Sequence, residues 1–345
     1  MEYAMKKLQV IDWVLIVLSV LFFVGCVFEF QRRNLLLYFC IPLFLCLFLL
    51  TERRIGGKYQ ILKKIPLLLV TLFLIYSSIV FNLTSSPLFG VRDKGSENYL
   101  IGKDYFQQVS IPTMSGLMHG WLYRKFDEKA PLIIFFNGAG ECAAETVAKF
   151  YKEEILSNYF PEYNFLCTDY PGYGLSEGKA TEATMKKMAL DTFDTAIQWD
   201  FVDPSNVTAI GYSIGTGTAS YLAAQRDLDS CVLLAPYEKY WDNYLRNLDF
   251  YAKRSVEKVK RTSGLQKTFF KLIWGYNVNP YDYAPSIEEP VLIIASTADT
   301  TIIHEASVKV ADRISSCELV TLTEIKHEYL LCDETYKVIR KFLRR

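Results

Sequence analysis

Three uncharged apolar runs in the first 85 residues limit what this chain can become more than any other feature: WVLIVLSVLFFVGCVF (13–28), LLLYFCIPLFLCLFLL (35–50) and IPLLLVTLFLIYSSIVF (65–81). A helix that crosses a bilayer needs about 20 apolar residues, so each run is slightly short. Residues such as Trp13, Tyr38 and Tyr76 would then lie at the headgroups. The expectation is a transmembrane region over residues 1–85, with helices at about 11–30, 35–50 and 65–82. A buried helical hairpin is the soluble alternative, but three such runs in one segment would leave a large apolar surface exposed. A signal peptide is the rival for the first run, with Lys6 and Lys7 as its basic end and Gly25-Cys26 as a lipoprotein-like cleavage site. Two more apolar runs follow at once, and Phe23 is unfavourable at such a site.

Basic residues in the short flanks set the orientation. The N-terminus and the second loop share a side that holds Lys6, Lys7, Arg53, Arg54, Lys58, Lys63 and Lys64, against Arg32, Arg33, Arg92 and Lys94 on the other. This places the N-terminus in the cytoplasm and the globular domain outside it. Cysteine usage gives no disulfide framework: of eight cysteines the five in the globular part, Cys142, Cys167, Cys231, Cys317 and Cys332, are an odd set without CxxC spacing. No zinc site is readable either. Lys plus Arg equals Asp plus Glu at 38 each, which argues against a nucleic-acid partner.

Residues 86–104 are polar and contain glycine, and read as a linker. Beyond them strand-like runs appear at 105–111, 117–123, 131–136, 164–169, 207–212, 231–235, 291–295 and 318–322. Helical stretches at 142–157, 181–200, 214–226, 304–314 and 330–344 separate most of the later ones. Short, continuously apolar strands alternating with helices predict an α/β domain over 105–345, a mostly parallel eight-stranded sheet with helices on both faces and an antiparallel edge at its start. Residues 236–290, rich in Tyr, Trp and Phe, are too long for a plain loop and read as a small helical cap insertion.

A serine hydroxyl attacks a carbonyl only when a base takes its proton, an acid orients the base, and N–H donors meet the developing oxyanion. Each piece can be sought separately. The stretch VTAIGYSIGTG (207–217) sets Gly211-Tyr212-Ser213-Ile214-Gly215 between a strand and an Ala-rich helix, the context of a nucleophile elbow. The pentapeptide alone is weak, because it arises by chance in chains of this length. IFFNGAGE (134–141) ends a strand in small residues whose N–H groups could join that of Ile214. Ala139 is the first candidate there and Gly138 the alternative. Asp299 follows a buried strand and is the candidate acid, with Glu238 as its rival. Of three histidines, His119 lies inside a strand and His304 is only five residues from Asp299, whereas His327 follows the last strand.

The order Ser213, Asp299, His327 is that of the alpha/beta-hydrolase triad, and residues 105–345 resemble that family throughout. DYPGYGLSEG (169–178) is similar to the family's loop after the fourth strand. GYSIGTGTA (211–219) is similar to the elbow of membrane-anchored members that are lipid esterases, lysophospholipases and protein depalmitoylases. The resemblance implies a serine hydrolase that cleaves an ester or thioester of an acyl or lipid substrate, with no metal or organic cofactor. The chain departs from the family in having Asn137-Gly138 where His-Gly is usual, Lys326 before the histidine where glycine is common, and three apolar runs rather than one. Two other readings stay open: a serine peptidase of the prolyl-oligopeptidase-like branch, and an inactive hydrolase-fold membrane scaffold.

Overall fold

The computed structural model describes residues 96–113, 116–178, 180–247 and 277–345, all within one unit made of Leu83–Arg261 and Tyr276–Arg345. The three apolar runs and the middle of the expected cap lie outside the described residues. Among the described residues, no helix is long and apolar enough to cross a membrane.

The eight strand-like runs all become strands: β1 Phe106–Thr113, β2 Gly116–Tyr123, β3 Ala130–Phe136, β4 Asn164–Thr168, β5 Val202–Tyr212, β6 Ser230–Leu234, β7 Val291–Ser296 and β8 Cys317–Leu322. They form one eight-stranded sheet in the order β1-β2-β4-β3-β5-β6-β7-β8. β1 pairs with β2 and β2 with β4 antiparallel, and every later pairing is parallel. Every residue of β4, β6 and β7 is buried, which requires cover on both faces. In β3, Leu132, Ile133, Ile134 and Phe136 have no exposed surface, and each such side chain contributes about 1.5–3 kcal/mol by leaving water.

The cover comes from helices α1 Glu97–Leu100, α2 Ala143–Lys152, α3 Ile155–Tyr159, α4 Glu182–Ala196, α5 Gly215–Ala223, α6 Tyr240–Arg246, α7 Pro280–Tyr283, α8 His304–Ala311 and α9 Asp333–Leu343. α2 packs on β2 and β4, α5 on β3, β5 and β6, and α8 on β7 and β8.

Three details differ from the sequence reading. The stretch expected as one helix over 142–157 breaks into α2 and α3 at Glu154, which takes a left-handed φ of 56°. Continued in register, the helix would carry Glu154 onto the face of Val147 and Phe150, both buried. The break leaves Glu154 exposed and buries Ile155 and Leu156 instead. The expected linker ends early, because residues 97–100 form α1, which packs on α2 and whose Leu100 is fully buried. β5 begins at Val202 rather than 207, with a register shift where Asp203 turns back to hydrogen-bond Ser205.

The insertion keeps a helical character at both ends, in α6 on the way out and α7 on the way back. Its two feet are tied together. The Tyr240 N–H donates to Asn279 Oδ1 at 2.9 Å, and the Tyr237 hydroxyl donates to the Val278 carbonyl. The Asn247 amide donates to the Thr301 carbonyl at 2.7 Å, fixing α6 to the segment after β7.

Candidate active site

Parallel strands present their carboxyl ends along one edge, so residues just beyond β3, β5, β7 and β8 converge there. Ser213 follows the last residue of β5 and precedes α5. It holds a left-handed φ of 54°, a conformation costly for a residue with a Cβ. Neighbours hold it there: its N–H donates to the Leu234 carbonyl at 2.9 Å, and its carbonyl accepts from the N–H and hydroxyl of Thr216. The flanking glycines are needed for space. A Cβ on Gly215 would lie 2.1 Å from the Phe136 carbonyl oxygen, and one on Gly211 would lie 2.5 Å from that of Gly215.

The three residues read as a triad meet. His327 Nε2 lies 2.9 Å from Ser213 Oγ, and His327 Nδ1 lies 2.6 Å from Asp299 Oδ2. The other Asp299 oxygen accepts from the N–H groups of Thr301 and Ile302, both at 2.8 Å, so the carboxylate has one direction in which to point. Asp299 is almost fully buried, while Ser213 and His327 stay half-buried and accessible. His327 opens a short 3-10 turn after β8. Lys326 before it has φ −73°, which any residue adopts, so the position does not need the family's glycine.

The donors read from the strand end differ in what they touch. The Gly138 N–H already donates to Glu141 Oε2 at 3.1 Å. Ala139 sits beyond it in an exposed turn. Ile214 lies at the N-terminal end of α5, where the helix dipole favours a negative charge. Asn137, in place of histidine, is buried. Its side-chain oxygen accepts from Thr146 at 2.7 Å and its carbonyl accepts from the Tyr170 hydroxyl at 2.5 Å, so it ties the turn to α2 and to the loop after β4. Glu141 was not singled out by the sequence. Burial pushes its carboxyl above the ordinary range, partly opposed by the Gly138 N–H, Lys149 and His327.

The rival residues are engaged elsewhere. Glu238 pairs with Lys309 at 2.7 Å, His304 with Thr321 at 2.8 Å, and His119 with Ser110 at 3.3 Å on the antiparallel edge. Among the described residues no cluster of His, Cys, Asp and Glu could hold a metal ion. Cys167 and Cys231 are buried and their thiols are pushed up by desolvation, which makes them inert core groups.

The family model for the alpha/beta hydrolase fold matches residues 131–278, on a sheet with that fold's mixed edge and parallel body. Over that stretch the chain is similar to the alpha/beta-hydrolase family. The matched stretch includes Ser213 and the turn after β3 but stops short of Asp299 and His327, so their meeting with Ser213 rests on the geometry alone. Protein ABHD12B of Homo sapiens is 26% identical over 190 residues, which are 53% of this chain and 49% of the relative. The chain thus spans about half the length of that curated relative. Among solved structures, the Pyrococcus furiosus esterase Pf2001 superposes with a TM-score of 0.54 at 19% identity, covering 74% of this chain and 98% of that one. The Pyrococcus horikoshii acylaminoacyl peptidase superposes at 0.51 and 15% identity, covering 73% and 43%. At these identities the two share its fold, and one fold carries both an esterase and a peptidase.

Proposed function

We propose that this chain is a membrane-anchored serine hydrolase that cleaves an ester or thioester of an acyl or lipid substrate. The observation that carries the reading is the unbroken hydrogen-bond chain from Ser213 Oγ through His327 to Asp299. In the proposed cycle His327 Nε2 takes the serine proton as Oγ attacks the acyl carbonyl. Asp299 holds the resulting imidazolium through Nδ1. The N–H groups of Ala139 and Ile214 receive the oxyanion, since that of Gly138 is engaged with Glu141. Collapse expels the leaving group with the proton from His327, and water then attacks the acyl-serine by the same route in reverse.

The preference for an acyl chain is supported by the three apolar runs, which would keep the site beside amphiphiles, and by the aromatic residues of the insertion. The basic residues flanking those runs support a cytoplasmic N-terminus and a hydrolase domain on the opposite side.

The test is labelling of the detergent-solubilised full chain with a fluorophosphonate probe, followed by hydrolysis of p-nitrophenyl esters of increasing acyl length and of an acyl-peptide. Wild type is expected to label and to prefer the longer esters, and Ser213→Ala to lose on the order of 10⁶-fold in kcat while still folded. Equal labelling of the two proteins ends the catalytic reading. Preference for the acyl-peptide replaces the esterase with a peptidase.

A further inference from the structure

Tyr212, the last residue of β5, touches His327 in two ways that its place beside the nucleophile does not demand. Its hydroxyl donates to the His327 carbonyl at 2.7 Å across 115 residues of sequence. Its ring lies against the imidazole with centroids 5.4 Å apart and planes 24° from parallel. The same ring also meets the turn after β3: a Cβ on Gly138 would lie 3.0 Å from both Tyr212 Cδ1 and Cε1. The side chain thus reaches both the turn that carries Ala139 and the turn that carries His327, and only 6% of the residue is exposed.

The histidine turn needs such a support. It is a single 3-10 turn, His327–Tyr329, whose Tyr329 is 65% exposed, so little of the protein covers it from outside. The bond from Nδ1 to Asp299 fixes one point of the imidazole but leaves the ring free to tilt about that line. A flat partner on its face removes that tilt, and a hydrogen bond to its own carbonyl removes the shift of the main chain beneath it. Both are needed for Nε2 to stay within reach of Ser213 Oγ.

We infer that Tyr212 is a positioning residue that holds His327 to Ser213 and couples its place to the turn bearing the oxyanion donor. The inference rests on the serine-hydrolase reading above and deepens it. Glycine at 138 belongs to the same device, because a methyl there pushes on the tyrosine ring, and less closely, at 3.2 Å, on Glu141 Oε2. Gly138 φ lies outside the left-handed region, so an alanine at this position meets only the crowding.

The experiment compares wild type, Tyr212→Phe, Tyr212→Leu, Gly138→Ala and the Tyr212→Leu/Gly138→Ala double variant as full-length solubilised protein. Rates of p-nitrophenyl octanoate hydrolysis are normalised to active sites titrated with the fluorophosphonate, which removes any misfolded fraction. Tyr212→Phe keeps the ring and loses one hydrogen bond, so kcat is expected to fall about three- to tenfold with KM unchanged. Tyr212→Leu loses both supports and is expected to fall on the order of 100-fold, again in kcat. Gly138→Ala is expected to lower kcat in the wild-type background and to cost less in Tyr212→Leu, where the ring is gone and only the looser contact with Glu141 remains. Wild-type kcat in both tyrosine variants, or losses confined to KM, overturns the inference while the hydrolase reading stands. Fully additive losses overturn the coupling to the oxyanion turn. A wild type that neither labels nor hydrolyses overturns the hydrolase reading and this inference with it.

Discussion

Ser213 sits in a conformation that serine avoids, and the surrounding hydrogen bonds to Leu234 and Thr216 hold it there. Strain kept at one residue and compensated by its neighbours is what the proposed role of Ser213 as nucleophile would call for. A different tension sits at Glu289, just before β7. Burial pushes its carboxyl up to about 7, Asp227 and Glu288 add to the rise, and its Oε1 is buried with no hydrogen-bond partner. Because the folded state holds this proton more tightly than the unfolded chain, whose ordinary value is 4.5, the group's contribution to stability is greatest below that value and is lost as pH rises through about 7. Glu289→Gln is therefore expected to raise Tm at about pH 8 by more than at about pH 5, a difference that partial exposure keeps to about 1–2 °C. Thermal melts at the two values check this, and an equal change at both counts against it. Ser213, Asp299 and His327 were readable in the sequence because each residue type has a short list of uses at a strand end. Tyr212 and Glu141 were not, because what they do is set by partners that the fold brings to them, His327 for one and the Gly138 N–H for the other.

Among the elements, α4 shows how local chemistry starts a helix. Thr181 accepts from the Thr184 N–H while its own N–H donates to the Thr184 hydroxyl at 2.8 Å, so two donors at the helix start are satisfied reciprocally. Thr181→Ala is expected to lower stability by about 1 kcal/mol, seen in urea unfolding as a lower midpoint with unchanged slope. A variant as stable as wild type would mean that water replaces the cap at no cost. The strands were legible nearly to the residue because their apolar runs are short and continuous, a pattern that only a sheet covered on both faces uses. The boundary between α2 and α3 was not. Lys149 to Leu156 is good helical sequence throughout, and the break arises only because continuing would bury Glu154, a conflict visible once the face of α2 is known. The start of β5 was hidden for a related reason: Asp203-Pro204-Ser205-Asn206 reads as a turn, and within the strand it makes one.

At the scale of the whole molecule, the proposed anchor and orientation predict that a reporter fused after residue 90 is active only in its extracytoplasmic form, and that the hydrolase domain of intact cells is open to added protease. A domain protected from protease would overturn the orientation read from the flanking lysines and arginines. The division of labour in the body follows from the sheet: Ser213, Asp299, His327 and the turn of Ala139 all rise from one edge, each on a different connection. The insertion leaves that edge between Tyr237 and Tyr240 and returns at Val278 and Asn279, with its feet bonded to one another. For a loop whose ends are already joined, each doubling of length adds only about 0.6 kcal/mol to the entropy of closure. The residues between those feet can therefore drift in length and composition under selection for a new substrate while the machinery below them is left undisturbed, as a lock is rekeyed without replacing the bolt.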